Sequence, residues 1–290
     1  MVMVGIIGGL ASQMNDYAFL LALKKRYPSL SIKAVDGCFD HNGYELERVF
    51  GIHLDWAERR MAQPLVNFHI APPGLTTKVF NAGHRIREFI VGSRKTHLNM
   101  VDYSNLDCVF PLDFQARDYV FWGNCRIETY QSVEPDLLAA FKFKRELTET
   151  NCEIAKRISE ENSVAIHLRR GDYKKCGFAL LGDEYYRAAV RAVSECLHNP
   201  SYFVFSDDIA CAREMFRDLP RVTFVTGNRG NDSSVDMRLM SLCKHNITAN
   251  SGFSMMAAWL NANKGKVVVA PKCPEEKDSA ILNNWNWIQI

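Results

Sequence analysis

The chain has 290 residues, 47% hydrophobic and 23% charged, with a formal net charge of +2. That balance belongs to a globular protein with a full core, and it excludes a general nucleic-acid binder, so any anion site must be local. No apolar run reaches the roughly 20 residues that a membrane-spanning helix needs.

Met1–Ile7 lacks a basic leader region and is predicted as a first strand rather than a signal peptide. Gly8-Gly9-Leu10-Ala11-Ser12 follows as a turn, and Ser12 is placed to cap a helix from Gln13 to Arg26. A strand, a glycine turn and a helix start together make a corner that favours anions. The same turn is also an ordinary tight connection, and the full dinucleotide fingerprint is absent. Ser31–Val35 is predicted as the second strand. From Asp36 to about Gln115 the pattern is poor. Short helical pieces are expected at Tyr44–Phe50 and His84–Ile90, and a proline-rich loop at Gln63–Lys78. Tyr119–Gly123 reads as a strand, and Glu134-Pro135 opens a short helix towards Phe141.

The second half is more regular. Helices are expected over Thr148–Glu161, from an Asp183 cap to Leu197, over Ile209–Phe216, from a Ser234 cap to Lys244, and over Met255–Leu260 after a Ser254 cap. Strands are expected at Val164–Leu168, Tyr202–Phe205, Val222–Val225, Asn246–Ala249 and Lys266–Ala270. This alternation implies a parallel sheet with helices on both faces. The change in regularity near residue 145 divides the chain into two β/α domains, 1–145 and 146–290. Nine widely spaced cysteines without a C-x-x-C pair point to a reducing compartment rather than to zinc or disulfides. Asn246-Ile247-Thr248 has the form of a glycosylation acceptor, but Asn246 is expected to begin a buried strand.

Three predicted strand ends carry polar clusters. Val164–Leu168, with His167 in it, runs into Arg169-Arg170-Gly171-Asp172. Paired guanidinium groups at the carboxyl end of a parallel strand suit phosphate oxygens; alone, the same residues are a charged turn. Ser206-Asp207-Asp208 ends the next strand and suits a ribose, a base or a metal, although one aspartate is expected simply to cap the following helix. Asn250-Ser251-Gly252-Phe253-Ser254 opens the last apolar helix, where hydroxyls and N–H groups suit phosphate and ordinary capping alike.

His167-Leu168-Arg169-Arg170-Gly171-Asp172-Tyr173, Phe203–Ile209, Met240–Ser254 with Ala258–Asn261, and Gly8–Met14 with Tyr17-Ala18-Phe19 stand in the order of four motifs. On these the chain resembles the inverting α-1,2-fucosyltransferase family, of bacterial type. The resemblance implies an α/β fold of the GT-B architecture, with two Rossmann-like domains facing a cleft. The N-terminal domain would serve the acceptor and the C-terminal one GDP-fucose. It implies GDP-β-L-fucose as donor, a galactose-containing oligosaccharide or lipid-linked glycan as acceptor, no metal cofactor, and a cytoplasmic enzyme, peripheral to the membrane at most. Donor contacts are then expected from Gly8, Gly9, His167, Arg169, Arg170, Ser206, Asp207, Asp208, Asn250, Ser251, Phe253 and Ser254. Arg169 would stabilise the leaving diphosphate. Asp172, Asp16 and Glu128 are the candidates for a general base, with Gln13, Asp16 and Glu128 on the acceptor side. The family's Gly-Asn is Ala11-Ser12 here, its Phe-Gln is Asn15-Asp16, and its paired tryptophans are Met255-Met256. The donor motifs are therefore better kept than the acceptor-side ones.

Overall fold

The computed structural model describes residues 2–38, 42–58, 99–101, 119–121, 127–272 and 287–290, with backbone alone at 99–101, 119–120, 127–130, 172, 175 and 176. The expected helix at 84–90 and loop at 63–78 lie outside these residues. The chain divides into two compact units, Met1–Lys142 and Phe143–Ile290.

The first unit contains strands β1 (Val2–Ile7), β2 (Ile32–Gly37), β3 (Asn99–Val101) and β4 (Tyr119–Phe121), all paired parallel in the order β2-β1-β4-β3. Its helices are α1 (Leu10–Arg26), α2 (Leu46–Phe50) and α3 (Ile127–Ala140). Val2, Val4 and Ile6 alternate along β1 and meet Phe19, Leu20 and Leu23 of α1 and Phe121 of β4 in one core. The Phe19 and Phe121 rings meet edge-on at 5.1 Å. Helix α1 begins at Leu10 with Gly9 as its cap, three residues before the expected start. Helix α3 begins seven residues before Glu134 and carries Pro135 within it.

The second unit holds α4 (Glu149–Glu160), β5 (Ser163–Leu168), α5 (Gly171–Cys176), α6 (Asp183–Cys196), β6 (Ser201–Ser206), α7 (Ile209–Met215), β7 (Val222–Val225), α8 (Ser233–Leu242), β8 (His245–Ile247), α9 (Gly252–Leu260), β9 (Val268–Ala270) and β10 (Ile288–Gln289). The six strands form one parallel sheet in the order β10-β9-β8-β5-β6-β7. Every residue of β5 is buried, as a central strand covered on both faces requires. Val164, Ile166 and Leu168 face Tyr186, Ala189 and Val193 of α6, Ala212 of α7 and Phe216, the residue that ends α7. On the other face Arg157 of α4 lies 5.4 Å from the Phe203 ring centre, and Ala258 of α9 packs on Val268 and Ala270. Strand β10 is the last strand, where the sequence suggested β9.

No helix among the described residues is long and apolar enough to cross a membrane.

Candidate donor site at the strand ends of the second unit

Parallel pairing brings the ends of β5, β6 and β8 to one edge. Leu168 pairs with Ser206, so Arg169 and Asp207, the next residue on each strand, leave the sheet side by side. Ser206 fixes this junction. Its hydroxyl donates to the Leu168 carbonyl at 2.8 Å and accepts the Asp208 N–H at 3.0 Å. Asp207 then serves both arginines: Oδ1 accepts the Arg170 N–H at 2.9 Å, and Oδ2 lies 3.3 Å from Arg169 Nε. Asp208 Oδ2 lies 2.9 Å from Lys174 Nζ and 3.9 Å from Arg170 Nε, while Oδ1 accepts the Cys211 N–H and caps α7. The Lys174 ammonium, with the Cys211 N–H, holds the Asp208 carboxyl below the usual carboxylate range.

These are not ordinary surface pairs. The arginine side chains are 28% and 21% exposed and the aspartates 20% and 24%, so each arginine side chain is held in place while part of it still reaches solvent. Adjacent strand ends turn both carboxylates to the cations. Gly171 opens α5 rather than a loose turn. A Cβ on it would lie 3.0 Å from Asp207 Oδ2, so glycine lets the backbone approach that carboxylate.

At the end of β8, the Tyr173 hydroxyl donates to the Asn250 carbonyl at 2.9 Å and the Tyr185 hydroxyl to the Thr248 carbonyl at 2.6 Å. Helix α9 starts at Gly252 with Ser251 as its cap, and the Ser251 side chain makes no capping bond. Ser254 therefore sits inside the helix. Its buried hydroxyl accepts the Ala249 N–H and donates to the Ser251 carbonyl, which folds the loop back and corrects the expected cap. His167 is 4% exposed, with its ring 5.9 Å from that of Phe253.

The edge also carries residues that the strand-end pattern did not reveal. Asn228, after β7, donates to Asp236 Oδ1 of α8 at 2.8 Å and exchanges carboxamide bonds of 2.9 and 3.2 Å with Asn151 of α4. Burial pushes the Asp236 carboxyl up to about 7, against the opposing effects of Asn228 and Arg229. The Arg229 guanidinium reaches the Asp207 carbonyl at 3.4 Å. Asp236 lies within a helix, where no local signal marks it.

The remaining part of the third motif is structural. Asn261 Nδ2 donates to the Cys243 carbonyl and to Asn246 Oδ1, both at 2.7 Å, and Asn246 donates to the Met240 carbonyl at 2.9 Å. Asn246 is buried within β8, as expected.

In the first unit, Gly8 has φ +67°, a conformation that favours glycine, and leads into α1. Gln13 and Asp16 are fully buried. Gln13 donates to the Gly8 and Gly43 carbonyls and accepts the Glu45 N–H, while Asp16 accepts the Ile7 N–H at 2.9 Å. Both hold the turn from within. Glu128 and Asp172 lie outside the residues whose side chains are described. Among the described residues, no group of three or more histidine, cysteine, aspartate or glutamate side chains is placed to hold a metal.

Residues 121–289 match the model of glycosyl transferase family 11. The chain is 27% identical over 309 residues to the O-antigen biosynthesis glycosyltransferase WbnK of Escherichia coli, covering 96% of this chain and 97% of that one. It is 36% identical over 152 residues to an α-1,2-colitosyltransferase of Escherichia coli, covering 48% and 51%. In fold it is similar to the crystal structure of the NodZ α-1,6-fucosyltransferase soaked with GDP-fucose, at 15% identity, with 89% and 91% of the chains covered and a TM-score of 0.51. The α/β architecture is of the GT-B type.

Proposed function

Because this chain belongs to glycosyl transferase family 11, we propose that it transfers L-fucose from GDP-β-L-fucose to the 2-hydroxyl of a galactose-containing glycan, with inversion and without a metal. The second unit takes the donor in this reading, and the first takes the acceptor. The observation that carries it is the pair Arg169 and Arg170, fixed by Asp207 and Asp208 yet still partly open to solvent.

The chemistry follows from where charge develops. As the bond from the anomeric carbon to the phosphate oxygen lengthens, the sugar takes on oxocarbenium character and negative charge accumulates on the diphosphate. A cation already in place stabilises that charge without reorganising at the moment of reaction. Arg169 has this role, with Arg170 assisting it. The carboxylates limit the motion of both guanidinium groups, and their charge is strongest when the site excludes water. Ser251 and the N–H groups at the start of α9 add phosphate contacts. The acceptor 2-hydroxyl attacks from the opposite face and loses its proton. Asp172 is kept as a candidate base by its place two residues after Arg170.

The similarity to an O-antigen glycosyltransferase supports a glycan acceptor, and the colitosyltransferase supports a 1,2 linkage. The latter also favours a second reading with GDP-colitose as donor. The deciding experiment incubates the enzyme with each donor and a panel of terminal-galactose disaccharides, with and without EDTA, and assigns the product linkage by NMR. An α-1,2-fucoside formed equally well in EDTA is expected. Transfer from GDP-colitose alone would select the second reading, and restoration of EDTA-lost activity by Mn²⁺ would overturn metal independence.

A further inference from the structure

The segment leaving the arginine pair carries an aromatic ring that the mechanism above does not use. Helix α5 stops at Gly177, with φ +73°, and the chain crosses to α6 through Phe178-Ala179-Leu180-Leu181-Gly182. Phe178 is 60% exposed and Leu180 37%. A single exposed apolar side chain on a loose loop needs no explanation, but this loop is held at several points. The Phe178 N–H donates to the Tyr173 carbonyl at 3.1 Å, and the two rings lie 5.1 Å apart. The Tyr173 hydroxyl donates to the Asn250 carbonyl, and Asn250 Nδ2 donates to the Ala179 carbonyl, each at 2.9 Å. The loop is thus tied to the carboxyl end of β8. The Tyr173 ring is also 5.9 Å from the guanidinium carbon of Arg169. The result is a row: cation, aromatic ring, and a second aromatic ring open to solvent.

In a nucleoside diphosphate sugar, the sugar is bonded directly to the phosphate that Arg169 would neutralise. In this reading the sugar is the group that lies next along the row. A 6-deoxyhexose carries a methyl group where its parent carries a hydroxymethyl. An aromatic face gains by covering the methyl but leaves a hydroxyl without a partner. We propose that Phe178 determines donor specificity by receiving the C6 methyl of a 6-deoxyhexosyl donor, with Tyr173 and Asn250 as positioning residues. The inference rests on the donor reading above. It applies to fucosyl and colitosyl donors alike, since both sugars end in a methyl group.

The test compares GDP-fucose with GDP-L-galactose, which differ only at C6. Wild-type kcat/KM is expected to favour GDP-fucose by about thirtyfold, and Phe178→Ala to cut that ratio by about tenfold. Phe178→Tyr, which keeps the ring face, is expected to stay within about threefold of the wild-type ratio. The affinity for GDP alone, measured by calorimetry, stays unchanged in both variants. An unchanged ratio in Phe178→Ala overturns the proposal. So does a change confined to the acceptor KM, which would assign the ring to the acceptor sugar. If the wild-type enzyme transfers neither fucose nor colitose, the donor reading fails and this proposal fails with it, a result visible before any variant is made.

Discussion

Replacing Arg169 with alanine tests the charge argument directly. In the structure Arg169 Nε lies 3.3 Å from Asp207 Oδ2, and the side chain is 28% exposed. A guanidinium about 4 Å from a developing unit charge contributes about 4 kcal/mol at an effective dielectric constant near 20. Arg170 remains in the variant, and water enters the space, so part of that stabilisation survives. We expect kcat to fall at least about a hundredfold, or about 2.7 kcal/mol on the barrier. The KM for GDP-fucose should rise less than kcat falls, since the bound diphosphate already carries two negative charges and gains the further one only as the bond breaks. Asp207 loses one cation but keeps the Arg170 N–H, so the fold should hold. The assay is steady-state transfer at saturating acceptor, with circular dichroism to confirm folding. A folded variant within about threefold of wild-type kcat would rule out this role for Arg169.

The other predictions concern supports of the same edge. Gly171→Ala places a Cβ 3.0 Å from Asp207 Oδ2; it should displace that carboxylate and lower kcat about tenfold, measured in the transfer assay. Asn261→Ala removes the Asn261 donor from the Asn246 carboxamide oxygen and leaves the Cys243 carbonyl to Asn263 Nδ2. Chemical denaturation should show a loss of about 2 kcal/mol with the donor KM unchanged. Asp236 titrates near 7, raised by burial, so the folded state binds its proton more tightly than the unfolded chain. Its stabilising contribution is full below the unfolded pKa and is lost as pH rises through about 7. Asp236→Asn should therefore raise Tm more at pH 8 than at pH 5, since the loss has only begun at pH 5; an equal shift at both values would refute the assignment.

The buried strands were legible in the sequence because a parallel strand covered on both faces must be apolar along its length. Val222–Val225 is matched residue for residue, and β5 and β6 are extended only by Ser163, Ser201 and Ser206. Helix starts were less legible. Ser12, Asp183 and Ser254 have the right chemistry for caps, yet Gly9, Gly182 and Ser251 occupy those positions. A cap is set by where the backbone leaves the extended conformation, and here that depends on the preceding turn. Where a side chain's partner is local the reading succeeds: Asp208 caps α7 through Cys211, three residues away.

The alternating β/α order and the cationic, acidic and hydroxyl-bearing residues at strand ends can be read from the chain alone, because spacing and apolar runs are properties of neighbouring residues. The assembled fold settles how those groups are used. It turned Asp207 and Asp208 to the arginines, buried Gln13 and Asp16 beneath the first turn, and joined Asn151, Asn228 and Asp236 from separate elements. A hydrogen bond or ion pair between residues dozens of positions apart depends on strand order and register, and no local pattern carries that information.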